Sequence, residues 1–414
     1  MNTRETPHTS ATVPNAQPAD PALGGSARTG GWPATLSVTA GILLIVTTEI
    51  LPIGLLTSIG SAFLVTDGTA GLMMAMPGFV AAVAAPTVTA ATARFDRRLM
   101  LCALLLLLAL ANLLAAVATV YWVLLASRVM VGITIGGFWS IGVGITDRLV
   151  PAEAVARANA VVFSAVPLGS VLGVPAGLLL GQTAGWRAAF AVMGVLALGV
   201  CVALAVFLPR LPPLVPTRLG TLAALLRRTD TRVGLLLTFL LVLAHFGTYT
   251  YVTPFLEEVP RVGADTVTVF LLVYGVAGLV GNHVGGALVA ARPRAAFAGA
   301  AALVAAATLL LPVLGGGAAG ALALLVVWGF AYGAVPICSR AWFAVSAPRS
   351  PEGAAVLFTA SFQATISAGA LVGGLVLDRT SPSAVMALGG ATALLVVAVV
   401  WIHRAARPGW GAGG

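Results

Sequence analysis

Twelve apolar stretches dominate this chain of 414 residues, and each is long enough to cross a membrane as a helix. A helix needs about 20 apolar residues to span ~30 Å of hydrocarbon. The stretches lie at 35–58, 69–91, 99–119, 121–145, 158–181 and 186–208, and then at 233–256, 266–290, 295–313, 318–341, 353–377 and 383–403. In lipid every backbone N–H and C=O must find an internal partner, so such segments fold as helices. Hydrophobic residues make up 59 % of the chain and charged residues 8 %, more apolar surface than a water-soluble domain could hide. An all-α membrane protein follows.

Charge orients the bundle. All 22 basic residues are arginine. With the N-terminus inside, Arg94, Arg97, Arg98, Arg148, Arg157, Arg210, Arg218, Arg227, Arg228, Arg292, Arg294 and Arg349 fall in inner loops. Arg187, Arg261 and Arg379 fall outside, beside Asp67, Glu257, Glu258, Asp265 and Asp378. This asymmetry predicts a multi-pass protein of the cell inner membrane with both termini cytoplasmic. The same reading makes the net charge of +9 a topology signal and gives no reason to expect a nucleic-acid partner. Cys102, Cys201 and Cys338 sit in apolar stretches without ligand spacing, which predicts neither disulfides nor a metal site.

Residues 1–33, rich in Pro, Ala, Thr and Gly, read as a disordered cytoplasmic tail. Residues 34–208 then form one six-helix bundle and 233–405 a second, joined by a proline- and arginine-rich cytoplasmic linker at 209–232 and followed by a tail at 406–414. The halves echo one another. Gly169-x-x-x-Gly173-x-x-x-Gly177 in span 5 recurs as Gly369-x-x-x-Gly373 in span 11. Gly132-x-x-x-Gly136 in span 4 recurs as Gly329-x-x-x-Gly333 in span 10. Small residues four apart let helix backbones approach closely, and matched pairs in two halves point to a duplicated fold that rocks about a central site.

Two charges lie deep within the spans. Glu49 is in Thr47-Thr48-Glu49-Ile50-Leu51-Pro52, and Arg128 is in span 4. A charge at bilayer depth costs roughly 2.5–3.5 kcal/mol on insertion scales, so each needs a compensating role. At a rise of about 1.5 Å per residue, Glu49 lies about 13 Å and Arg128 about 10 Å below the outer surface. The level is shared, which allows contact between them.

Several motifs resemble the major facilitator superfamily, and within it the twelve-span drug:proton antiporters. Asp96-Arg97-Arg98 occupies the loop between spans 2 and 3, although Ala90-Ala91-Thr92-Ala93 lacks the glycine that usually opens that signature. Arg128-x-x-x-Gly132-x-x-x-Gly136 matches the span 4 motif, and Gly169-x-x-x-Gly173-Val-Pro175-Ala-Gly177 the span 5 antiporter motif. Glu49-Ile-Leu-Pro52, Gly136-Gly137-Phe138-Trp139 and Tyr249-Thr-Tyr251-Val-Thr-Pro254 are most similar to bacterial sugar-efflux and purine-ribonucleoside-efflux transporters. The resemblance implies twelve helices in two pseudo-symmetric bundles, and proton-coupled efflux of a small organic molecule (a drug, sugar or nucleoside) by alternating access. It assigns a conformational role to Asp96, Arg97, Arg98, Gly132, Gly136, Gly169, Gly173, Pro175 and Gly177.

On this reading Glu49 carries the coupling proton, and Arg128 controls its proton affinity by approaching and withdrawing. The alternatives are a static ion pair between spans 1 and 4, or direct substrate binding by either residue. The second half has no acid inside its spans. It offers His245 as a second proton site, and Tyr249, Tyr251, Trp328, Tyr332 and Gln363 as ligand contacts suited to a planar or sugar-bearing molecule. The chain has no phosphate-binding loop and no hydrolase motif, so neither ATP nor an enzymatic role is expected and the proton gradient is the energy source. The partners expected are substrate, protons and lipid, with a functional monomer. A proton-driven importer or uniporter on the same fold, or a non-transporting sensor, are the competing readings.

Overall fold

The computed structural model describes residues 30–92, 94–212, 229–339 and 351–406. Most of both expected tails and residues 213–228 of the expected linker lie outside the described residues. Among the described residues all regular structure is helical, and twelve helices are long and apolar enough to cross a membrane. Spans 1 to 6 are Gly31–Ile50, Leu72–Ala91, Arg97–Ala116, Tyr121–Gly142, Val155–Ala184 and Trp186–Phe207. Spans 7 to 12 are Thr229–Tyr249, Ala264–Ala291, Pro293–Leu314, Ala318–Gly333, Pro351–Leu377 and Pro382–Ala406. Span 1 begins at Gly31, inside the stretch expected to be tail.

Two spans expected to be continuous are broken. Span 1 gives way after Ile50 to a tight turn at Leu51–Ile53 and a short helix at Leu56–Phe63. Span 7 ends at Tyr249 and resumes as Val252–Glu258. Pro52 and Pro254 explain both, because proline has no N–H to give the helix ladder and its ring crowds the carbonyl four residues back. Both breaks lie toward the same side of the bundle, the far face, opposite the near face that holds Gly31 and Ala406.

Small residues build the halves alike. A Cβ on Gly173 would come within 2.6 Å of Ile50 Cγ1, and one on Gly177 within 2.8 Å of the Leu51 carbonyl, so span 5 lies directly on span 1. Gly369 and Gly373 press span 11 onto Leu243, Phe246 and Gly247 of span 7 in the same way. Gly132 and Gly136 seat span 4 on Pro77 and Ala81 of span 2, and Gly329 and Gly333 seat span 10 on Tyr274 and Gly278 of span 8. These contacts superpose span 1 on span 7, 2 on 8, 4 on 10 and 5 on 11. The halves then meet where spans 2 and 11 cross and where spans 5 and 8 cross, a pair of contacts related by the same pseudo-symmetry. Apolar side chains such as Val195, Val202, Leu394 and Trp401 remain on the outside, as lipid requires.

Candidate functional site

The break in span 1 assembles the first part of the site. Without an N–H on Pro52, the Thr48 carbonyl loses the donor that the next turn of its helix would give it. Arg128 supplies one: its Nη1 donates to the Thr48 carbonyl at 3.2 Å. Asn112 of span 3 donates to the Thr48 hydroxyl at 3.4 Å and to the Leu108 carbonyl at 2.9 Å. The guanidinium also lies over the Phe190 ring of span 6, 5.1 Å from its centre, an arrangement that favours a cation. Arg128 is fully buried there, and its Nε and Nη2 have no hydrogen-bond partner.

Glu49 is the next residue along, turned about 100° around the helix. That rotation carries its carboxylate away from Arg128 and toward the second half. Its side chain is hydrogen-bonded to Gln363 of span 11, and Tyr332 of span 10 lies within electrostatic reach. Glu49 Oε1, Gln363 Oε1 and the Tyr332 hydroxyl are buried without partners. The two charges therefore share a level, tied through the backbone of Thr48, but among the described residues they form no ion pair.

The second half opposes them with an aromatic cluster. Trp328 Nε1 donates to His245 Nδ1 at 3.2 Å, which leaves the ring proton of neutral His245 on Nε2. His245 stacks on Tyr332 with ring centres 3.2 Å apart and on Tyr249 at 5.1 Å. Tyr249 stacks in turn on Tyr274 of span 8 at 4.7 Å, and Trp328 closes the group edge-on at 5.7 Å from Tyr274. The Tyr274 hydroxyl is buried without a partner. Sequence reasoning brought His245, Tyr249, Trp328 and Tyr332 together but missed Tyr274, a lone tyrosine in an apolar span with no motif around it. It also missed Asn112 and Phe190, which surround Arg128.

Tyr251 stands apart. Its hydroxyl donates to the Ala370 carbonyl at 2.6 Å, and its ring covers Gly71, where a Cβ would strike it. Two residues from Tyr249, across a helix break, it lies in the contact between spans 7, 11 and 2. Near the other face, Asp96 caps span 3 by accepting from the Arg98 N–H at 2.8 Å and also accepts from the Leu211 N–H at 3.0 Å. The Arg97 N–H donates to the Leu211 carbonyl at 2.9 Å, and the Arg98 side chain donates to the Ala205 carbonyl. The Asp96-Arg97-Arg98 signature thus fastens the loop between spans 2 and 3 to the chain leaving span 6. Pro175 sits inside span 5, within the run of glycines that faces span 1. Among the described residues, no group of three or more His, Cys, Asp or Glu is placed to hold a metal.

Two six-helix bundles with a buried carboxylate and an aromatic cluster facing one another across their interface define a twelve-span membrane transporter. The chain belongs to the Major Facilitator Superfamily, whose family model matches residues 36–363. It is 33 % identical over 385 residues to the transcription regulatory protein OpdE of Pseudomonas aeruginosa, covering 91 % of this chain and 95 % of that one. It is 32 % identical over 373 residues to the purine ribonucleoside efflux pump NepI of Salmonella typhimurium, covering 89 % and 93 %. Among solved structures, it resembles a bacterial homologue of the human lysosomal transporter Spinster, inward-facing and unoccupied, with a TM-score of 0.68 at 16 % identity over 90 % of this chain and 95 % of that one. The human organic anion transporter MFSD10 follows at a TM-score of 0.64 and 18 % identity, over 89 % and 99 %. At these identities the two structures speak for the fold alone.

Proposed function

We propose that this transporter is a proton-coupled exporter of a small organic molecule of the nucleoside, sugar or drug type. The observation that carries this reading is the Glu49 carboxylate, buried in one half and hydrogen-bonded to Gln363 of the other. Ionised, Glu49 accepts from Gln363 and has Oε1 left for an N–H or O–H of the ligand. A proton arriving from outside neutralises it, weakens that hold and releases the ligand outward. The neutral carboxyl crosses back with the rocking halves and loses its proton to the cytoplasm when it turns toward the free Nε and Nη2 of Arg128. The ligand ring lies against Tyr249, Tyr274, Trp328 and Tyr332, with His245 held in one tautomer as a hydrogen-bonding group. The likeness to a purine ribonucleoside efflux pump supports a nucleobase-sized ring. The proton gradient supplies the energy. The arginine distribution supports both termini in the cytoplasm of a cell inner membrane, and a site lined by both halves of one chain supports a functional monomer.

Everted membrane vesicles test this with radiolabelled inosine as the probe. Acidifying the vesicle interior drives accumulation by the wild type, and Glu49→Gln lowers it by about tenfold or more while inosine exchange without a gradient persists. Gradient-driven accumulation that survives Glu49→Gln would overturn the coupling role. A second reading, a membrane regulator, is favoured by the likeness to OpdE. It predicts no accumulation of any probe and an altered transcript profile on deletion.

A further inference from the structure

The far face holds carboxylates that the site above does not use. Asp378, at the end of span 11, accepts from the Thr66 hydroxyl at 2.8 Å and from the Gly68 N–H at 3.0 Å. Thr66 caps the short helix Asp67–Ala70 that leads into span 2, so these bonds join the two halves. The fit is tight, because a Cβ on Gly68 would strike the Asp378 carboxyl and the Gly374 carbonyl. Glu257, in the short helix after span 7, is hydrogen-bonded to Thr57 of the first half. Thr253 of the same helix donates to the Ile53 carbonyl at 3.2 Å, and Gln182 to Thr268 at 3.3 Å. These hydrogen bonds close the far face.

Against them stands like charge. Asp67, in the first half, lies within electrostatic reach of Asp378 and Glu258 in the second, and Glu257 within reach of Asp67 and Glu258. Among the described residues none of the four carboxylates is in an ion pair. Arg187 is turned away, stacked 4.2 Å from the Trp186 ring centre and donating to the Ala118 carbonyl at 3.0 Å. Arg261, Arg379 and Asp265 complete the charged groups of this face, and the phenols of Tyr121 and Tyr251 donate to the Thr69 and Ala370 carbonyls at 2.7 and 2.6 Å.

We propose that this face is a proton-sensitive latch, in which Asp378 and Glu257 hold the halves together while Asp67 opposes closure until the cluster takes up a proton. Opening the face carries Asp67 away from Glu257, Glu258 and Asp378, so the closed form is the one that binds protons more strongly. Burial first, and then the Asp67 and Glu258 charges, push the Glu257 carboxyl above the usual range, with the Thr57 bond opposing. Stability of the closed form is therefore full below the ordinary glutamate range and is lost as pH rises through the raised one. Acid outside favours closure, and the latch adds to the drive that returns an emptied exporter toward the cytoplasm.

The test uses the full chain in nanodiscs, with Cys102, Cys201 and Cys338 replaced and spin labels at Ser61 and Thr380, exposed positions on opposite halves of this face. All measurements are made with and without Glu49→Gln, which separates the latch from the coupling site. Raising pH from about 5 to about 8.5 increases the open-to-closed ratio about three- to tenfold, with or without Glu49, as expected for a few partly exposed charge pairs. Asp67→Asn with Glu257→Gln flattens that response to under about twofold, and Asp378→Asn raises the open fraction at every pH. A pH response that vanishes with Glu49→Gln alone, or that is unchanged by Asp67→Asn with Glu257→Gln, overturns the latch. An unchanged elution position and helical circular dichroism of each variant in detergent report that it has folded, whether or not the chain carries inosine.

Discussion

The two halves share a packing plan and differ in chemistry. Gly173 seats span 5 beside Thr47 and Ile50, while Gly373 seats span 11 beside Gly247 and Tyr251. By that correspondence Glu49 in the first half stands where Tyr249 stands in the second, each at the foot of a broken span. One half places a carboxylate and a guanidinium at this level, and the other places neutral rings. Glycine spacing sets where helices cross, and that geometry tolerates whichever side chains line the interface. A duplicated scaffold can therefore divide labour, with charge handling on one side and contact area on the other.

The packing plan that the halves share is the part most sensitive to substitution. Gly136→Val and Gly333→Val both insert atoms where a helix backbone already lies, against span 2 and span 8 respectively. Each is expected to cost about 1–3 kcal/mol or more, read as a lowered thermal midpoint in detergent. Equal damage supports the pseudo-symmetry, and a large difference argues against it. Next in size is Arg128→Gln, which removes the buried cation that grips Thr48 but leaves a donor for the Thr48 carbonyl. Gradient-driven accumulation of inosine should fall about tenfold, with gradient-free exchange less affected. The smallest effect is expected from Tyr274→Phe, which deletes one unpartnered hydroxyl. It should raise KM about two- to tenfold with the pH dependence of transport unchanged.

Much of this was legible in the sequence, and the reasons are physical. Apolar length announced the twelve spans, and a fixed rise per residue put Glu49 and Arg128 at one level. The rise says nothing of azimuth, however. Thr48 and Glu49 are neighbours facing different halves, so a depth estimate could suggest contact with Arg128 but could not reveal that Thr48 receives it. Tyr249 and Tyr251 illustrate the same limit, since a helix break between them sends one into the aromatic cluster and the other onto Gly71. Tyr274 was invisible for a different reason: its partners come from spans 7 and 10, and no local pattern records a contact made across three helices. Gln363, read only as a ligand contact, turns out to be the residue that meets Glu49.

The breaks after Ile50 and Tyr249 have a mechanical consequence. Each separates a short terminal flap, Leu56–Phe63 or Val252–Glu258, from the body of its span. The ladder bonds that would stiffen each junction, to the Thr48 and Thr250 carbonyls, are already missing because Pro52 and Pro254 cannot donate them. Bending there ruptures little, so the far side can part at two prepared hinges before the long helices need to move. Arg128 grips one of those hinges through the Thr48 carbonyl, and the flap on span 1 therefore swings about a point held by a buried cation.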